Sequence, residues 1–232
     1  MNNETILIDK PKGMTSFGVV ARVRRVLTRQ ARKEYEEKGL TSPKRLKVGH
    51  TGTLDPFATG LLIVLVGKMT KRSNEFLKLD KEYIAEIKLG ETSSTGDPEG
   101  EIKKSYSGEA KSEAEVKKVV QSFQGEIMQK VPAFSAVKVN GRKAYELARK
   151  GIEVETPTRK VKIYEIEVLE YNWPVLKIRA KVSSGTYIRT LGEDIGEKLG
   201  TGAYLTELRR TKIDRFSVDE AVSLDEFMKT YD

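Results

Sequence analysis

The pattern of apolar and polar positions sorts much of the chain into strands and helices. Residues 5–9 read as a short strand, and Lys10-Pro11-Lys12-Gly13 as the turn out of it. Val19, Val20, Val23, Val26 and Leu27 recur at helical spacing behind Ser16, a residue suited to capping, which leaves Arg22, Arg25 and Arg29 facing outward. Residues 30–46 are polar and interrupted by Gly39 and Pro43, so the pattern predicts a mobile basic loop there. The unbroken apolar run of residues 61–66 suits a strand buried on both faces. Residues 81–89 alternate as a strand bounded by Gly90, and a polar loop follows over residues 92–100.

In the second half, Ser112 with Glu115 and Ser223 with Glu226 are capping boxes that open helices. Asn140-Gly141 is a turn signal that ends a strand over residues 134–139, after which Tyr145, Leu147 and Ala148 begin a helical turn. Alternation through Val161, Ile163, Ile166 and Val168, and again over residues 175–182, predicts two long antiparallel strands around Asn172-Trp173-Pro174. Ile188, Leu191, Ile195 and Leu199 return to helical spacing, closed by Gly200 and Gly202. Together these predict an α+β fold: a single domain over residues 1–232 around a mixed, largely antiparallel sheet with flanking helices.

Charge changes the picture more than composition does. The net charge is +8, and between Arg22 and Lys47 ten Lys and Arg stand against three Glu, so one segment makes the protein basic. A localised patch of this kind suits phosphate neutralisation. With no Cys and one His among 232 residues, thiol nucleophiles are excluded and a conventional zinc site is not expected. No apolar run approaches the roughly 18 residues of a membrane span, and the start is strand-like, so the expectation is a cytoplasmic protein.

Between the basic segment and the buried strand lies Gly49-His50-Thr51-Gly52-Thr53-Leu54-Asp55-Pro56-Phe57-Ala58-Thr59-Gly60. One carboxylate sits inside a Gly- and Thr-rich loop, with Pro56 restricting Asp55 toward an extended conformation and Gly49, Gly52 and Gly60 allowing unusual backbone angles. It is not a phosphate-binding loop, which needs Lys and Ser or Thr directly after the last Gly, where this chain has Leu61 and Leu62. A turn with an Asp for local hydrogen bonding and an active-site loop both fit the segment taken alone. Elsewhere, Ser183-Ser184-Gly185-Thr186-Tyr187-Ile188-Arg189 places a guanidinium in the first turn of a helix, a natural partner for a carboxylate that must stay ionised. Tyr83 stands near the start of a strand, and Leu208 precedes two bases.

With these segments in view, the chain resembles the TruB family of tRNA pseudouridine synthases over nearly its whole length. The resemblance rests on the 49–60 loop, supported by Asp9-Lys10-Pro11 with Gly13, by Pro132, Ser135-Ala136, Lys138, Gly141, Tyr145 and Ala148-Arg149, and by residues 185–189. It implies the pseudouridine synthase fold and conversion of the uridine at tRNA position 55, in the T arm, without cofactor or metal. It also implies Asp55 as nucleophile, Arg189 as its ionic partner, Tyr83 as the aromatic lying on the flipped base, Tyr187 and Leu208 as pocket walls, and His50 filling the gap left by the extruded base. Attack on the ring and attack on the ribose both fit these residues. Two departures mark the chain against the family pattern: a longer, more basic stretch at about 30–46, and no separate C-terminal RNA-binding domain. The expected partner is the tRNA T stem-loop, met by a monomer. The rival readings are a noncatalytic RNA-binding or RNA-folding protein on the same fold, and the same chemistry on another RNA.

Overall fold

A computed structural model describes residues 4–41, 45–139 and 141–231. Lys44 and Asn140, part of the predicted basic loop and turn, lie outside them, as do residues 1–3 of the predicted strand-like start. The chain divides into two compact units, residues 1–81 with 209–232, and residues 82–208.

The first unit opens with β1 (Thr5–Lys10), α1 (Ser16–Glu37), β2 (Val48–His50) and β3 (Thr59–Val66), followed by a short 3-10 turn and α2 (Ser73–Leu77). The second carries β4 (Lys81–Leu89), β5 (Glu91–Ser93), β6 (Ile102–Lys104), α3 (Glu113–Gln121), β7 (Gly125–Lys130), β8 (Lys138–Val139), β9 (Arg142–Lys143), α4 (Ala144–Ala148), β10 (Thr158–Asn172), β11 (Val175–Val182) and α5 (Ile188–Lys198). Strand β12 (Ala203–Ile213) starts in the second unit and ends in the first, which β13 (Phe216–Ser217), β14 (Val222–Ser223) and α6 (Leu224–Thr230) complete.

In the first unit β3 is the central strand. It pairs antiparallel with β1 from Thr5↔Leu65 to Lys10↔Gly60, antiparallel with β2, and parallel with β12 at Arg209↔Thr59 and Arg210↔Gly60. Its alternate side chains feed two cores. Leu62, Val64 and Val66 pack with Val19, Val20, Val23 and Leu27 of α1 and with Leu224 and Phe227 of α6. Leu61, Ile63 and Leu65 pack on the other face with Ile213 and Val218. A continuous apolar run is what two-sided burial requires.

In the second unit the strand order is β12, β4, β11, β10, β7, with β10 antiparallel to both β11 and β7. On α5, Ile188, Leu191 and Ile195 are buried, as is Leu199 just beyond it, in line with the helical spacing. Ser112 and Ser223 accept from the amides of Glu115 and Glu226 as N-caps of α3 and α6.

Four expectations change. Helix α1 does not end near residue 30 but runs to Glu37, because Gln30, Ala31, Arg32, Lys33 and Glu34 favour helix and no breaker intervenes. Gly39, read as an interruption, is the stop signal: at φ 63° it lets its own amide bond Glu36 O and that of Leu40 bond Tyr35 O at 2.8 Å, a Schellman closure. The cap of α1 is Thr15, whose side chain accepts from Gly18 N, and Ser16 is used elsewhere. The strand expected over 134–139 shrinks to β8, while β12, eleven residues long, was not anticipated. Among the described residues no helix is long and apolar enough to cross a membrane.

Leu62 is fully buried in the α1-facing core. Leu62→Ala is expected to destabilise the protein by about 2–5 kcal/mol, read as a lower urea midpoint at unchanged slope.

Candidate active site

The Asp55 loop is held from beneath by two buried cations of the first unit. Lys10 is 0% exposed, and its Nζ donates to the carbonyls of Pro11, Met14 and Pro56 at 2.9, 2.6 and 3.2 Å. Arg210 is 1% exposed; its Nε donates to Leu61 O at 2.8 Å and its Nη2 to Gly52 O at 3.2 Å. Pro56 O also accepts from Gly13 N at 2.8 Å. The buried Ser16 hydroxyl donates to Leu54 O at 3.0 Å and accepts from Leu54 N at 2.8 Å, so the residue before Asp55 is tied to the first turn of α1.

Glycine is required where the loop meets Arg210. Gly60 has φ 103°, and a Cβ there would stand 2.3 Å from Arg210 O, a collision with backbone that cannot relax. Gly52, at φ 131°, lies against the guanidinium. Gly49 needs neither freedom, being an ordinary residue of β2. Asp55 emerges half-buried between the two anchored carbonyls, and Ala58 N closes a turn onto Asp55 O at 3.2 Å. His50 is half-buried at the end of β2, and burial and then the nearby Arg210 charge push its pKa down, so it is neutral at pH 7.

Arg189 lies in the first turn of α5, in the second unit, where sequence puts it. Its Nη1 donates to Thr95 O at 2.8 Å and to Asp97 Oδ2 at 3.2 Å, and its Nη2 to Phe134 O at 2.8 Å. The Arg189 and Asp97 side chains are only 5% and 4% exposed. Asp97 is itself fixed: Oδ1 accepts from Thr95 Oγ1 at 2.6 Å and from Glu99 N at 3.0 Å. A buried pair of this kind is costly to break, about 3–5 kcal/mol. Asp97 stood unremarked in a polar loop, although a signal existed. Thr95-Gly96-Asp97-Pro98 repeats the Thr-x-Asp-Pro pattern of Thr53-Leu54-Asp55-Pro56.

Tyr187 is the half-buried N-cap residue of α5, gripped through its backbone by Gln129, which receives its N–H at 2.8 Å and donates to its carbonyl at 3.0 Å. The Arg159 guanidinium lies 5.8 Å from the Tyr187 ring centroid. Tyr83 and Leu208 are buried on the neighbouring strands β4 and β12. His50 and Asp55 thus belong to one loop of the first unit, and Arg189, Tyr187, Tyr83 and Leu208 to the second. Sequence reasoning missed Ser16, Gln129, Arg210 and Asp97 as parts of the site.

A further carboxyl, Glu193, lies one turn along α5 from Arg189, against the backbone of the Asp97 loop: a Cβ on Gly96 would meet Glu193 Oε1 at 2.9 Å. Burial pushes its pKa up to about 7, opposed by Arg189 and assisted by Asp194 and Asp97. A raised carboxyl keeps its proton in the folded state while the unfolded chain, at its ordinary 4.5, has lost it. Its contribution to stability therefore declines as pH rises from 4.5 towards 7. Glu193→Gln removes this decline, so the variant's melting temperature relative to the parent should rise across that window. A flat difference in melting scans would contradict the assignment.

The family model described as "TruB family pseudouridylate synthase (N terminal domain)" matches residues 23–188, and "tRNA pseudouridylate synthase B C-terminal domain" matches residues 189–232. The chain is 46% identical over 227 residues to tRNA pseudouridine synthase B of Aquifex aeolicus, covering 97% of this chain and 73% of that one. It is 45% identical to the protein of the same name from Parabacteroides distasonis, covering 97% and 93%. Among solved structures, one described as the crystal structure of a Cbf5-Nop10-Gar1 complex superposes with a TM-score of 0.71 at 33% identity, covering 98% of this chain and 54% of that chain, about half its length. The fold is that of the pseudouridine synthases, and the chain belongs to the TruB family of pseudouridylate synthases.

Proposed function

We propose that the chain converts the uridine at position 55 of tRNA, in the T arm, to pseudouridine, with Asp55 as nucleophile and Arg189 as its counter-charge. As a TruB family member it is an isomerase of the tRNA pseudouridine synthase class. The observation that supports the residue assignment is the anchoring of the Asp55 loop: carbonyls on both sides of Asp55 and the whole peptide of Leu54 are held by buried side chains. A carboxylate whose backbone is immobilised this way is presented in one position, which is what attack on carbon demands.

The reaction needs no co-reactant. The N1–C1′ bond of uridine breaks, the base turns, a C5–C1′ bond forms, the proton on C5 leaves and N1 gains one, so atoms balance within the nucleotide. The base must first leave the stack at a cost of about a few kcal/mol. In this reading Tyr83 lies on its face, Tyr187 and Leu208 wall the pocket, and the neutral His50 fills the space the base vacates. The enzyme works as a cytoplasmic monomer without metal or cofactor, and it recognises the T stem-loop.

Asp55→Asn is expected to fold and to bind tRNA while forming no detectable pseudouridine, since the amide keeps the volume and loses the nucleophile. Turnover like that of the parent would end the assignment. Arg189→Lys should lower both turnover and melting temperature, because a point charge cannot serve Thr95 O, Asp97 and Phe134 O together. EDTA should leave the rate on intact tRNA unchanged; loss of activity restored by zinc would refute the cofactor-free reading.

A further inference from the structure

The outward face of α1 is lined with cations along a groove of about 640 Å³, bounded by Arg24, Arg25, Arg29, Arg32, Lys33 and Arg45 with a single carboxylate, Glu36. All of it belongs to the first unit. An ordinary solvated helix face interleaves acids at the i,i+4 spacing; from Ala21 to Lys33 this helix has none. The arrangement is built. Leu46 is buried in the core, and its amide donates to Thr28 Oγ1 at 3.3 Å, which sets Arg45 opposite the helix. Arg24 Nη2 donates to Val48 O at 2.9 Å and Arg29 Nη2 to Tyr231 O at 3.0 Å, so carbonyls orient two of the guanidiniums. Burial, and after it the neighbouring Arg45 charge, pulls the Arg24 pKa down.

We propose that this groove is a binding site for the phosphodiester backbone of a base-paired RNA stem, engaging the substrate away from the reacting uridine. Three observations select that ligand. Guanidiniums at Arg25, Arg29 and Lys33 ammonium follow one helix stripe over about 12 Å, a length of duplex that carries about seven phosphate charges. None of the lining residues is aromatic, whereas sites for single strands rely on stacking rings. The position along α1 also matters. Ser16 touches Leu54 beside Asp55, so Arg25 and Lys33 lie about 14 and 26 Å further along the helix. Phosphates that reach them belong to nucleotides several steps from the one at Asp55. This assignment rests on the RNA-modifying role proposed above.

The test compares salt dependence of binding for two RNAs, a whole tRNA and a T-loop hairpin whose stem is cut to a few base pairs. The variant is Arg25→Gln/Lys33→Gln/Arg45→Gln, with Lys68→Gln/Lys71→Gln/Lys78→Gln as a control that removes the same charge from other exposed positions. Each duplex phosphate contributes about −0.9 to the slope of log affinity against log salt. The groove variant should therefore flatten the slope on whole tRNA by about 2–3, match the parent on the short hairpin, and keep the single-turnover rate at saturating enzyme. The control should keep the parental slope. An unchanged slope on whole tRNA, equal flattening on the short hairpin, or equal flattening by the control would each overturn the proposal. Pseudouridine formation by the parent is measured on the same tRNA, so failure of the catalytic reading appears there and leaves the binding comparison to judge the groove.

Discussion

Burying two cations beneath one loop is the constraint on which the first unit is organised. Lys10 and Arg210 have almost no solvent contact, and the partners described for them are largely backbone carbonyls. Desolvating such groups is costly unless every donor finds an acceptor. The carbonyls that satisfy them come from the loop around Asp55, from the turn after β1 and from the start of β3. The loop cannot rearrange without stranding a buried charge. The same requirement explains Gly60, which lets the chain pass against the Arg210 backbone. It also explains why β12 must run parallel beside β3 at that point, since the register Arg210↔Gly60 delivers the guanidinium under the loop.

A related device organises the second unit. There a buried guanidinium, Arg189, gathers two carbonyls and the Asp97 carboxylate, and through them immobilises the segment after β5 and the loop at Phe134. In both units an Asp-Pro turn is shaped by a buried arginine. The difference lies in what the arginine holds: backbone carbonyls of the loop near Asp55, but the carboxylate itself at Asp97. Glu193 adds a third ionisable group to the second cluster, and its burial, which raises its pKa to about 7, leaves it about half protonated near pH 7 and so limits the negative charge that collects around Arg189.

Periodicity made β3, β4, β10, β11 and α5 legible, because each buries a face whose spacing the residues display. It failed where the signal was not periodic. The basic continuation of α1 has no apolar stripe, so a loop was expected; propensity and the Gly39 stop were the better guides. Strand β12 was hidden because Thr206, Glu207, Arg209 and Arg210 sit among its apolar residues, one of them a charge turned inward. Of the site, the motif residues Asp55, Arg189, His50, Tyr83, Tyr187 and Leu208 could be named, whereas their supports could not. Lys10 read as part of a turn and Ser16 as a cap, since nothing local distinguishes a polar residue aimed at solvent from one aimed at a carbonyl 38 positions away.

The continuity of α1 turns it into a ruler. Its 22 residues span about 33 Å, with the zero mark fixed at the Ser16–Leu54 contact and the far end stopped by Gly39. Lengthening it by one residue would advance everything beyond by about 1.5 Å and swing it by about 100° around the axis. The distance between the Asp55 loop and the distal charges is thus counted out in whole residues.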